Sequence, residues 1–122
     1  MAVVLVIEDN AANARLAGFL LERAGHEVVH AADAAAGLAL ARQRRPDLVL
    51  MDIQLPGLDG LAVTCQLKED PRLRGIKVIA LTAFAMKGDE ARMRAAGCDG
   101  YLAKPFRYQD FLAAVDAALG RR

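Results

Sequence analysis

Leu48-Val49-Leu50-Met51-Asp52-Ile53-Gln54-Leu55-Pro56-Gly57-Leu58-Asp59-Gly60 joins an apolar run to an acid and then to a segment of turn residues. The run from Asp47 to Asp52 lacks the polar–apolar alternation of a strand with one wet face. It therefore reads as a strand covered on both sides, as in a parallel sheet flanked by helices. Pro56-Gly57 and Asp59-Gly60 mark a loop, after which Leu61 to Lys68 has helical period and stops near Pro71.

The same strand–loop–helix unit recurs on either side. Upstream, Val3 to Ile7 is continuous in β-branched and aliphatic residues and fits a central strand. Asn10 or Asn13 can cap the helix behind it, where Leu16, Phe19 and Leu20 fall at i, i+3 and i+4 and Gly25 supplies the stop. Glu27 to Ala31 is a second strand. Asp33 then caps an Ala-rich helix that ends before Pro46, because the residue preceding a proline is pushed out of the helical region. Downstream, Lys77 to Leu81 is a fourth strand, followed by a polar helix from about Lys87 to Ala96 that Gly97 closes. Tyr101 to Ala103 is a short fifth strand, and the last helix carries Phe111, Leu112, Val115 and Leu119 on one face. Five such units predict an α/β fold with a five-stranded parallel sheet and five helices, doubly wound in three layers.

The chain of 122 residues is the length of one domain, so residues 1–122 are expected to form a single unit. Hydrophobic residues make up 55% and charged ones 25%, which argues against disorder. A formal net charge of +1, from 16 basic and 15 acidic residues, creates no field that would select nucleic acid or a membrane as the partner. Cys65 and Cys98 lack metal-ligand spacing and read as buried small hydrophobes in a reducing compartment. The first apolar run stops at Glu8, too short and without the basic leader of a signal peptide, and no stretch approaches the ~20 apolar residues of a membrane span. A cytoplasmic location is the expectation.

In a parallel sheet all strands point their carboxyl ends to one edge, and functional groups collect there. Glu8 and Asp9 follow the first strand, Asp52 ends the third, Thr82 the fourth, and Lys104 the fifth. Three carboxylates in one place repel each other unless a cation intervenes. Oxygen-only ligands without His or Cys select a hard ion, and a few carboxylates leaving room for water and a substrate oxygen is the Mg²⁺ pattern. Asp9 and Asp52 are the direct ligands in this reading, Glu8 acts through water, and the carbonyl of Gln54 is a further contact. A carboxylate beside Mg²⁺ can attack phosphorus. Asp52, at the end of the middle strand with an open loop behind it, is the expected nucleophile. Lys104 supplies a second positive charge and Thr82 a hydroxyl donor.

Taken singly, each of these residues has a plainer reading as a cap, a surface lysine or a strand residue. His26 and His30 flank a strand and read as exposed or satisfied histidines. Arg42, Arg44 and Arg45 read as a solvated helix end, where cations suit the dipole.

The acidic pair Glu8-Asp9, Asp52 in its Met51 to Gly60 context, Thr82-Ala83 and Lys104-Pro105-Phe106 together resemble the receiver domain of two-component response regulators, the CheY-like family, over essentially the whole chain. The resemblance implies a flavodoxin-like sheet of order 2-1-3-4-5, phosphotransfer from a histidine kinase or phosphotransfer protein to Asp52, and a cis peptide before Pro105. It also implies a relay in which Thr82 moves onto the phosphoryl group, Tyr101 turns inward, and the face of helix four, strand five and helix five changes shape. The stretch Thr82 to Glu90 is similar to DivK-type single-domain regulators and to receivers of hybrid histidine kinases. One departure is Glu8, where many members carry Asp. The longer side chain alters how water is held on the metal without altering the charge.

Two other classes fit less well. An aspartyl phosphatase would need an acid two residues after Asp52, where Gln54 stands, and a flavin carrier would need a Gly-, Ser- or Thr-rich loop after the first strand, where Glu8 and Asp9 stand. The expectation is a monomeric signalling module, not a turnover enzyme, whose output passes through a downstream effector protein. A receiver module of a hybrid kinase or larger regulator is the alternative.

Overall fold

The computed structural model describes residues 2–55, 59–83 and 88–120. Within them five strands alternate with five helices: β1 (Val3–Ile7), α1 (Ala11–Arg23), β2 (Glu27–Ala31), α2 (Ala34–Arg44), β3 (Leu48–Asp52), α3 (Gly60–Glu69), β4 (Lys77–Thr82), α4 (Asp89–Ala96), β5 (Gly100–Ala103) and α5 (Tyr108–Ala118). The strands pair in parallel in the order β2-β1-β3-β4-β5. β3 is buried throughout and β1 nearly so, whereas the edge strands β2 and β5 are half open. Continuous apolar runs thus mark the centre of the sheet, as expected for strands covered on both faces.

Side chains along each strand alternate between two cores. Leu5, Ile7, Val49, Met51, Val78 and Ala80 pack under α2, α3 and α4, represented by Leu38, Leu67 and Met93. Val4, Val6, Leu48, Leu50, Ile79 and Leu81 pack against α1 and α5, through Ala17, Leu21, Phe111 and Val115. The period of two in strand geometry sorts the sequence into these layers.

The helix boundaries follow local chemistry. Of the two candidate caps of α1, Asn10 acts, its side chain accepting from Asn13 N–H at 3.0 Å. Asp33 caps α2 in the same way, and α2 stops at Arg44, with Arg45 left-handed just before Pro46. α4 opens after Gly88 with Asp89 and Glu90 in its first turn, where anions suit the dipole, and ends at left-handed Gly97. The expected start of this helix at Lys87, and the Pro56-Gly57 part of the loop, lie outside the described residues.

Two expectations are corrected. The Leu16-Phe19-Leu20 set is not the buried face of α1: Leu16 is 57% exposed and Phe19 54%, Leu20 is half-buried, and Ala14, Ala17 and Leu21 face inward. Cys65 is only half-buried, while Cys98 is buried with its thiol pushed up by burial and 3.8 Å from the Thr64 hydroxyl; neither is in a disulfide. His26 is buried and its Nδ1 accepts from Ala2 N–H, and Arg44 of the basic cluster pairs with Glu27. Among the described residues no helix is long and apolar enough to cross a membrane.

Candidate functional site at the carboxyl edge of the sheet

The parallel register sets Asp52 beside Leu81 and Thr82 beside Ala103, so the ends of β3, β4 and β5 are adjacent, with the end of β1 on the other side of β3. Glu8, Asp9 and Asp52 each bring a carboxylate oxygen to within 4.8 Å of the others. Lys104 reaches across them, its Nζ 3.2 Å from Glu8 Oε1 and 3.2 Å from Asp52 Oδ2. Glu8 and Asp52 are buried and Asp9 is exposed, so the cluster has a dry floor and an open side.

Backbone amides fix the remaining oxygens. Asn10 N–H donates to Glu8 Oε2 at 3.3 Å, and Gln54 N–H donates to Asp52 Oδ1 at 2.9 Å. Gln54 thus meets Asp52 through its amide, and its side chain is exposed. Gly60 matters at this point for a steric reason. A Cβ there would sit 2.8 Å from both the Asp52 carbonyl oxygen and Ile53 Cα, so the first turn of α3 can lie against the end of β3 only without a side chain. Its N–H donates to the Ile53 carbonyl at 3.0 Å.

The electrostatics record the crowding. Burial first, then the hydrogen bond with Asp52 and the repulsion from it, raise the Glu8 carboxyl above its ordinary range, while Asn10 N–H and Lys104 pull it down. For Lys104, burial works against the charge, but Asp52 and Glu8 outweigh it and hold the ammonium above its usual value. One lysine against three carboxylates leaves a formal charge of minus two in the pocket. All-oxygen donors, a net charge matched by a divalent cation and an exposed side for water are what a hard ion such as Mg²⁺ requires.

Thr82 is buried at the end of β4, and its carbonyl accepts Lys104 N–H at 2.7 Å. The Lys104–Pro105 peptide is cis. Phe106 stacks on Phe111, with ring centroids 5.5 Å apart, at the floor of a cleft of about 460 Å³ that opens beside Glu8 and Lys104 between α1 and α5. Tyr101 is half-buried and packs on the core side that also holds Met93 of α4. The structure therefore gathers Glu8, Asp9, Asp52 and Lys104, with Thr82 and Gln54 at their backs, and sets Tyr101 along β5. Two contributors had no signal of this role in the sequence: Asn10 as holder of Glu8, and His30, whose Nε2 lies 2.9 Å from the Glu8 carbonyl oxygen.

An open parallel sheet of this order sets the acids at the carboxyl ends of β1 and β3 on the two sides of its topological switch point, the crevice where α/β sheets of this kind hold their ligands. Residues 4–116 match the response regulator receiver domain, and the chain belongs to that family, signalling proteins of two-component systems. It is 49% identical over 117 residues to the polar-differentiation response regulator DivK of Brucella anthropi, covering 96% of this chain and 95% of that one. Among solved structures it resembles the chemotaxis response regulator CheY4 of Vibrio cholerae (27% identity, TM-score 0.92, covering 98% of this chain and 99% of that one). It also resembles the receiver domain of the sensor histidine kinase PA1611 from Pseudomonas aeruginosa (34% identity, TM-score 0.89, 98% of each chain), which carries a magnesium ion in its active-site cleft.

Proposed function

We propose that Asp52 is the phosphoacceptor of this receiver domain, with Mg²⁺ bound by Asp9 and Asp52 directly, by Glu8 through water and by the Gln54 carbonyl. What carries the reading is the Lys104 ammonium 3.2 Å from Asp52 Oδ2 inside a pocket that still holds a formal excess of negative charge. The donor is a phosphohistidine of a histidine kinase or phosphotransfer protein. An Asp52 carboxylate oxygen forms the new O–P bond as the P–N bond to the histidine breaks, and the imidazole leaves with the bonding pair and takes up a proton. When bound, the metal neutralises charge on the phosphoryl oxygens. Lys104 exchanges its contact with Asp52 for one with the phosphoryl group, and the Asn10 and Gln54 amides keep Glu8 and Asp52 oriented.

The switch we assign to this chain runs through Thr82 and Tyr101. The Thr82 hydroxyl moves toward the phosphoryl group, and the half-buried ring of Tyr101 turns into the space released. Of α4, only Met93 is buried among the described residues, which suits an element whose position a single charged group can bias. The domain then presents an altered face of α4, β5 and α5 to a downstream effector protein. We assign residues 1–122 to one cytoplasmic, monomeric receiver without a turnover substrate and without direct contact to nucleic acid or membrane.

Incubation with a small-molecule phosphodonor, with and without Mg²⁺, followed by intact mass, tests the site. Gain of one phosphoryl group that needs Mg²⁺ and is lost in Asp52→Asn supports the reading. Gain in the variant, or gain independent of metal, overturns it.

A further inference from the structure

His30 stands near the end of β2 with its ring exposed, and its Nε2 is 2.9 Å from the backbone oxygen of Glu8. A carbonyl can only accept, so Nε2 carries the proton and donates. On the other side of the same residue, Glu8 N–H donates to the Ala31 carbonyl at 3.0 Å. Both backbone groups of Glu8 are therefore gripped by the last two residues of β2, while its carboxylate is gripped by Asn10 N–H and Lys104. A peptide unit is planar and trans, so fixing the Glu8 carbonyl fixes the Asp9 amide and the direction in which Asp9 leaves the strand. Asp9 is exposed, and its placement depends on the backbone behind it.

We propose that His30 is a positioning residue for the metal-binding turn: its ring N–H, donated to the Glu8 carbonyl, holds the peptide that presents Glu8 and Asp9 to a divalent cation. The inference rests on the reading of the acidic pocket as a Mg²⁺ site. Groups that hold metal ligands from behind matter by about 10–100-fold in affinity. An exposed ring acting on a backbone group belongs at the low end, so loss of the contact should weaken Mg²⁺ binding by about fivefold to tenfold.

The experiment is a Mg²⁺ titration of the full chain followed by amide NMR for the unaltered protein, His30→Phe and His30→Gln at one pH. His30→Phe weakens Mg²⁺ by that factor without lowering the metal-free melting temperature, and it shifts the Asp9 and Asn10 amides before any metal is added. His30→Gln, whose side-chain amide can reach the same carbonyl, restores both. Phe binding Mg²⁺ like the unaltered chain, Gln losing as much as Phe, or turn amides that stay in place would each overturn the proposal. Failure of the unaltered chain to bind Mg²⁺ would overturn the pocket's reading itself. It is told apart from failure of the His30 contact because the turn amides would still shift in His30→Phe.

Discussion

Replacing Lys104 by methionine removes an ammonium and keeps most of its apolar stem. That ammonium lies 3.2 Å from Glu8 Oε1 and from Asp52 Oδ2, and the Glu8 side chain is 2% exposed. Breaking a buried ion pair by deleting one partner costs about 3–5 kcal/mol, because the other charge is left uncompensated. Two features discount this. The Lys104 side chain is 24% exposed, so water already screens it, and Glu8, whose carboxyl is raised by burial and by Asp52, can take up a proton. A loss of about 2–3 kcal/mol remains. For a chain of this length about 1 kcal/mol moves Tm by roughly 3–5 °C, so the metal-free variant should melt about 6–15 °C lower. Mg²⁺ at about 100 times the native chain's Kd returns about 2.7 kcal/mol to that chain, and the same concentration should return more to the variant because the ammonium no longer competes for Asp52. Thermal melting in a chelator and in Mg²⁺ measures both effects. A metal-free variant that melts at or above the native temperature, or an equal Mg²⁺ increment in the two proteins, would refute the role of Lys104 as the pocket's resident counterion.

Glu8 sets a pH dependence. A carboxyl raised in the folded state destabilises the fold once ionised, so the metal-free protein should gain stability as pH falls from neutral through that raised value toward the ordinary 4.5. Chemical denaturation should show this gain flattened in Glu8→Gln. The Lys104 contribution does not confound the window, since a raised ammonium is fully stabilising below 10.5 and is lost only as pH rises through its folded value. Gly60→Ala, whose Cβ would stand 2.8 Å from backbone atoms of Asp52 and Ile53, should cost about 1–3 kcal/mol and slow phosphoryl uptake from a small donor, read by equilibrium melts and a time course of intact mass. On α1, Phe19→Ser should change stability by less than about 0.5 kcal/mol while Leu21→Ala costs about 2–5 kcal/mol; the reverse order would mean that the helix presents its other face to the sheet.

The strands were legible because a fully covered parallel strand leaves an uninterrupted apolar run, as in Leu48–Asp52, and because Asp33, Pro46 and Gly97 punctuate the helices by rules that need no tertiary context. The carboxyl-edge rule was enough to gather Glu8, Asp9, Asp52, Thr82 and Lys104. The order of the strands came from the family resemblance, since apolar runs carry no information about which neighbour they pair with. What escaped was decided by packing. Helical spacing alone marks Leu16 and Phe19 as well as it marks Ala14, Ala17 and Leu21, and only the rotation of α1 about its own axis against the sheet decides which set is covered. The grip of Asn10 and His30 on Glu8 depends on a turn geometry and on register between β1 and β2, and neither leaves a mark in the spacing of residues.

The identity of the phosphoacceptor is open to a direct chemical measurement. Treating the chain with a phosphodonor and Mg²⁺ and then with borohydride reduces an acyl phosphate to an alcohol, converting the modified aspartate to homoserine, which peptide sequencing by mass can locate. Homoserine is expected at position 52 and nowhere else. Reduction at Glu8 or Asp9, or a phosphorylated chain with no reducible acyl group, would contradict it.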